Sequence, residues 1–318
     1  MKRFKIFYWI LFVVLAVVIV LNRQVIIDFV RGGFYKPTAE MEQIRYDLNL
    51  TSKGELIFNA SKPELSTRED FNEKCRAEDE VSAILGCYTE QAIYVYNIDD
   101  KELDGILELT TAHELLHAVY ERMNVWERDG LKDLLEKVYA ENREALGEEV
   151  NLYDSVEQLE EIYVRAGTEI KKLPEELEKH YAGIFKDQDK VVSFYDKYIK
   201  VFREIEDEFE FLEKEMNELN VEIDTKTADY EDGVTVLNKD IDEFNNCANT
   251  MGCFNSDYEF YVRRNELVSR QTELQTLYDE IDELINQYNS DVEKYNKNVI
   301  RNDNLQNMIN SYERVEEL

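Results

Sequence analysis

Three hydrophobic patterns follow one another along the chain, and each predicts a different kind of element. The first is an unbroken apolar run from Ile6 to Leu21, preceded by Lys2, Arg3 and Lys5. Phe4 extends the run toward the length of a bilayer span, Lys5 can snorkel, and the leading basic residues set the N-terminus on the cytoplasmic side. A cleaved leader would have a shorter core and a small-x-small cleavage site; only Ala16 is small in this run, and no such site follows. Residues 1–30 are therefore expected to be a cytoplasmic stub and a single-pass transmembrane signal-anchor in the cell membrane, with everything after them extracytoplasmic.

Past a short linker, Arg31–Pro37, the pattern becomes amphipathic. Helical stretches are expected over Thr38–Leu48 and Glu69–Leu85, separated by a polar break with Pro63, and Leu56–Phe58 reads as a short strand. Gly86–Ile98 is rich in β-branched and aromatic residues, and Tyr94, Tyr96 and Ile98 alternate with Ile93, Val95 and Asn97 as in a strand with two usable faces. Asp99 or Asp100 should cap the next helix, whose apolar stripe is Leu109, Ala112, Leu116, Val119 and Met123. Val125–Gly130 reads as a break, Leu131–Leu146 as a helix ended by Gly147, Asn151–Ala166 as a helix closed by Gly167 and Thr168, and Pro174–Phe185 as one more.

The third pattern begins near Asp187. Phe209, Met216, Ile223, Tyr230, Leu237 and Phe244 recur every seven residues, and so do Phe260, Leu267, Leu274, Ile281, Tyr288 and Tyr295 beyond a turn-rich stretch. A sustained seven-residue repeat is the coiled-coil signature, and two arms of similar length favour an intramolecular antiparallel hairpin. The arm would extend roughly 70 Å at the helical rise. Gly233 and Lys226, near seam positions, should weaken it locally. The fold class expected is mainly α with a small β-sheet: the anchor, a domain over 31–186, and a coiled-coil hairpin over 187–318 with its tip near 245–256.

Composition narrows the partners. There are 69 acidic against 37 basic residues, a formal net charge of −32. A polyanion needs a basic face, so nucleic-acid binding is excluded, and the charge suits solubility at an exterior surface. The four cysteines fall as two local pairs, Cys75 with Cys87 and Cys247 with Cys253. Neither has the two-residue gap of a zinc knuckle, so both read as disulfide staples of an oxidising exterior.

The candidate chemistry lies in Ala112–Tyr120. His113-Glu114-Leu115-Leu116-His117 uses two of the three histidines in the chain. Residues four apart share a helix face, so both imidazoles can reach one ion, while Glu114 can reach a water on that ion. Zinc lowers the pKa of such a water and the carboxylate takes its proton, which is metal-assisted hydrolysis. From this motif, and from the strand that runs into it, the chain resembles the zincin metallopeptidases over about Cys87–Phe185. The resemblance implies Zn2+, hydrolysis of a protein or peptide substrate, and a helix beside a small sheet whose edge strand holds the substrate.

A catalytic zinc usually has three protein ligands and one open position. The metzincin branch of that family takes its third ligand from a histidine close behind the motif, which is absent here. The gluzincin branch uses a glutamate on a following helix, which by resemblance gives Glu161, with Glu160 and Glu157 as alternatives and His180 as another source. The sequence departs from the commonest gluzincin form at Val164 and Arg165, where a small residue and an Asp or Asn are usual. Zincins also place a His or Tyr beside the metal to stabilise an oxyanion, which makes His180 and Tyr181 secondary catalytic candidates.

The expectation is thus a membrane-anchored extracytoplasmic zinc peptidase with Glu114 as general base. The other reading is a cell-surface interaction protein in which the coiled coil binds a partner or another copy and the metal site is structural or inactive.

Overall fold

The structure is a computed structural model; it describes residues 9, 12–14, 16–20, 22–75, 85–147, 150 and 155–311. The chain forms two compact units, Met1–Val201 with Leu305–Leu318, and Phe202–Asn304.

The first unit begins with α1 (Phe12–Val20) and α2 (Arg23–Gly32). Among the described residues no single helix is long and apolar enough to cross a membrane; α1 and α2 qualify only as a pair, bent by 66°. Lys2, Arg3, Lys5 and the start of the apolar run lie outside the described residues.

Three threonines then start three helices. The side chains of Thr38, Thr51 and Thr67 accept from backbone N–H groups at the heads of α3 (Ala39–Asp47), α4 (Ser52–Ser61) and α5 (Arg68–Lys74). The cap at Thr51 overrides the strand expected at Leu56–Phe58: these residues are helical, and Ile57 and Phe58 face the core. The second half of the helix expected over Glu69–Leu85 falls on residues 76–84, outside the described residues.

The single strand expected over Gly86–Ile98 is a hairpin. β2 (Gly86–Thr89) turns at Glu90 and Gln91, whose φ values are 49° and 61°, into β3 (Ala92–Tyr96). β1 (Glu64–Ser66) lies parallel to β3 on its other side, giving the order β1-β3-β2 with β2 as an edge. A disulfide between Cys75 and Cys87 ties the end of α5 to that edge.

Asp100 caps only a short 3-10 turn, Lys101–Leu103. The motif helix α6 (Ile106–Glu121) starts instead at Gly105, where φ is +90° and an added Cβ would stand 2.7 Å from the Phe194 carbonyl oxygen. Both constraints demand glycine. The stretch read as a break, Val125–Gly130, is the first part of α7 (Val125–Glu141), because Asn124 and Glu127 form a reciprocal capping box. α8 (Arg143–Leu146) is a single turn. α9 (Ser155–Glu169) runs through Gly167 rather than ending there, and residues 151–154 of the expected helix are outside the described residues. α10 spans Glu175–Tyr181. One core joins α3, α4, the sheet, α6, α7, α9, α10 and the first turns of the long helix α11 (Gln188–Ala248), with Phe58, Leu115, Tyr163 and Phe185 fully enclosed.

The second unit is the antiparallel hairpin of α11 with α12 (Asp257–Ile309). Its seam residues Ile205, Leu212, Leu219, Leu237 and Ile281 are buried. Phe209 meets Tyr295 at 4.8 Å between ring centroids, and a Cys247–Cys253 disulfide closes the tip. Both positions expected to weaken the seam have partners: Lys226 Nζ is 2.7 Å from Glu280, and Gly233 makes room for Leu274.

Candidate metal centre

The site is assembled by α6 and α9. Gly167 sets their spacing, since a Cβ there would lie 2.5 Å from Leu116 Cδ1 of α6 and 2.6 Å from the Tyr181 ring. With the backbones this close, Glu161 of α9 faces the two histidines of α6. His113 Nε2 is 3.8 Å from Glu161 Oε1, and His117 Nε2 is 3.6 Å from Glu161 Oε2. One ligand atom from each of His113, His117 and Glu161 lies within 4.8 Å of the other two. The imidazole rings stand edge to face, 5.1 Å between centroids.

Glu160 has a different place. Its Oε1 is 2.9 Å from His117 Nδ1, the ring nitrogen turned away from Glu161. A carboxylate on Nδ1 fixes the ring and leaves Nε2 directed at the cluster, the usual outer partner of a metal-binding imidazole. Glu157 is exposed on the first turn of α9 and is not among the clustered donors.

Glu114 is buried beside the cluster. Burial pushes its carboxyl up to about 7, with His117 opposing the rise and the carboxylates of Glu161 and Glu160 adding to it. Burial likewise raises Glu161, against the pull of His117 and Arg165. His113 is driven well below its ordinary value by burial, with His117 and Arg165 adding to the effect. For His117 burial also acts downward, but the hydrogen bond its Nδ1–H donates to Glu160 and the charges of Glu114, Glu161 and Glu160 outweigh it and raise the imidazolium to about 9.

The edge strand touches the candidate base directly. A Cβ on Gly86 would stand 2.8 Å from both Cγ and Oε1 of Glu114 and 2.6 Å from Thr110 Cγ2, so only a residue without a side chain fits. Sequence reading gave Gly86 no role, since its meaning lies in a contact with a helix more than twenty residues away. The choice of Glu161 over Glu160 came from resemblance alone, because which of two adjacent carboxylates faces Nδ1 and which Nε2 depends on the rotation of α9, which its own pattern does not state.

His180 and Tyr181 sit in an aromatic group of their own. His180 Nε2 is 2.9 Å from the Tyr163 hydroxyl, and the enclosed Tyr181 hydroxyl donates to the Tyr163 carbonyl at 2.6 Å.

Comparison with protein families, with characterised proteins and with solved structures gives no match. The His-His-Glu cluster is therefore the ground for any statement about chemistry. Its donor set, two imidazoles and a carboxylate, suits a borderline ion such as zinc, and three ligands are the number a catalytic zinc site takes.

Proposed function

We propose that the chain is a membrane-anchored, extracytoplasmic zinc peptidase. The observation that carries this is the convergence of His113, His117 and Glu161 with the buried Glu114 alongside. His113 Nε2, His117 Nε2 and a Glu161 oxygen would hold the ion. Zinc in such a place supplies Lewis acidity, activating a water and polarising a peptide carbonyl.

The remaining work belongs to the chain. Glu114, buried beside the cluster, would accept a proton from the attacking water and pass it to the nitrogen of the leaving amine. Glu160 holds the His117 ring through Nδ1. Gly86 brings β2 against Glu114 and, lacking a side chain, leaves the carboxylate its position. The Tyr181 hydroxyl already donates to a backbone carbonyl, so the mechanism does not call on it.

The alternative of a purely structural metal wants a fourth protein ligand. Among the described residues the cluster offers three, and His180 is turned to Tyr163 instead. Two disulfides support an exterior location, because such bonds persist outside the reducing cytosol.

The test is metal content paired with cleavage of a generic unfolded protein. The parent should carry one zinc per chain and cleave. Glu114→Gln should keep the zinc and lose roughly 10²-fold or more in rate, the range for loss of a general base. A Glu114→Gln protein that cleaves as fast as its parent overturns the assignment, as does a parent that binds no zinc.

A further inference from the structure

Helix α2 is built inside out. Gln24, Asp28, Arg31 and Gly32, on one helical face, turn toward the domain, whereas Val25, Ile26, Ile27, Phe29 and Val30 turn away. Asp28 is 3 % exposed and Phe29 73 %. A helix on a protein surface in water buries its apolar stripe, the reverse of this arrangement.

The polar face is tied to the domain through Asp28 and Arg31, and Gln24 donates to Asp28 along the helix. Asp28 accepts from Nε of Arg122 with both oxygens at 3.1 Å and from Nη2 at 3.0 Å, an ion pair nearly closed off from water. Arg122 Nη1 donates to the Ala118 carbonyl and to the Tyr88 hydroxyl. Arg31 bonds both the side chain and the carbonyl of Gln91 in the β2–β3 turn. With three charged or amide side chains directed inward, the face that is left is almost wholly aliphatic and aromatic.

We infer that this outward face of α2 is seated in lipid, at the outer boundary of the bilayer that holds the anchor. The inference rests on the anchoring part of the reading above, not on its chemistry. Continuity argues for lipid over a second copy of the chain. α1, which leads into α2, exposes Phe12, Val13, Val17, Val18, Ile19 and Val20. These positions run round the helix, and a protein partner would cover one stripe of it where lipid covers every side. Val125 and Trp126, the latter 84 % exposed, begin α7 three and four residues after Arg122. Four residues reach at most about 14 Å, so an exposed tryptophan lies near the α2 dock, as expected at a membrane–water interface.

Arg122 is the C-cap of the motif helix. The Asp28–Arg122 pair therefore ties the lipid-seated helix to the element that carries His113, Glu114 and His117, and it holds the candidate site at a fixed height above the membrane.

The test uses the full chain in vesicles of phosphatidylcholine and phosphatidylglycerol, with Trp9→Phe and Trp126→Phe as background. Phe29→Trp should be quenched by lipids brominated on their acyl chains and protected from aqueous acrylamide. Tyr258→Trp, at an exposed hairpin position, should behave in the opposite way. Val30→Trp gives a second reading of the same face if Phe29→Trp folds poorly. Acrylamide quenching at position 29 equal to that at 258 would overturn the inference, because the face would then be in water. Protection from both quenchers would overturn it too, since another protein surface would then be the cover. Vesicle flotation keeps the two levels apart: a floating protein with position 29 in water loses this inference alone, and one that fails to float loses the anchor as well.

Discussion

The domain and the hairpin use carboxylates in opposite ways. In the domain Asp28 is enclosed against Arg122, Glu114 is buried beside the histidines, and Glu161 faces two imidazoles. In the hairpin the acids mostly line the solvent side of two long helices, paired at i,i+4 as in Lys214–Glu218 and Lys239–Glu243 or across the seam as in Arg270–Asp240. Net charge alone does not separate these uses. Enclosure does: a buried charge is costly to leave without its partner, while an exposed one is already solvated.

The largest expected effect tests that contrast directly. Asp28→Ala strands the Arg122 guanidinium in a site where its side chain is 7 % exposed, and should cost about 3–5 kcal/mol of domain stability. Asp240→Asn breaks a 2.6 Å pair whose members are both about a third exposed, and should cost under about 1 kcal/mol. Denaturant unfolding of the full chain in detergent, followed by near-ultraviolet dichroism for the domain and helicity for the hairpin, measures both. Equal losses would show that enclosure is not what distinguishes the two regions.

Next in size is the division of labour between adjacent acids. If Glu160 acts through the His117 ring, Glu160→Ala should weaken zinc binding by about 10–100-fold, and Glu160→Gln, which can still accept from Nδ1–H, should restore most of it. Glu161→Ala should weaken binding further, because it removes a donor rather than the support of one. Competition with a chromophoric chelator reads all three, and a greater loss for Glu160→Ala than for Glu161→Ala would exchange their roles.

The same contrast governs what could be read beforehand. The hairpin is local and periodic, so its seam is visible as Phe209, Met216 and Ile223 recurring every seven residues, and the cysteines that close its tip stand six apart. His113, Glu114 and His117 are also legible, because a single helix fixes their spacing. Contacts between separate elements were less legible: the Cys75–Cys87 link and Glu161 were named in advance, but most others were obscure or misread. The β2–β3 turn is made by Glu90 and Gln91, neither a usual residue for positive φ, so one strand was expected where there are two. Leu56–Phe58 looked like a strand because its apolar run says nothing of the threonine cap five residues earlier. Gly167 looked like a helix stop, whereas its lack of a side chain serves the packing of α9 on α6. α2 was merged into an anchor and a linker, since its pairing of polar positions with the domain appears only once Arg122 is in place, nearly a hundred residues later.

The smallest expected effect sharpens the comparison from the hairpin side. Gly233 lies inside α11, where glycine is poorer than alanine by about 1 kcal/mol. An added Cβ would stand 2.6 Å from Leu274 Cδ2, so something must move. What moves is the far end of a leucine side chain on a narrow, partly exposed seam, at the cost of an off-rotamer torsion of about 0.5–1.5 kcal/mol. Gain and cost nearly cancel, and Gly233→Ala should shift hairpin stability by less than about 1 kcal/mol in either direction. Thermal melting of the full chain by far-ultraviolet dichroism checks this. A loss several times larger would mean that the seam around Leu274 is packed as rigidly as the domain core, and the contrast between an adaptable arm and an enclosed domain would not hold at that position.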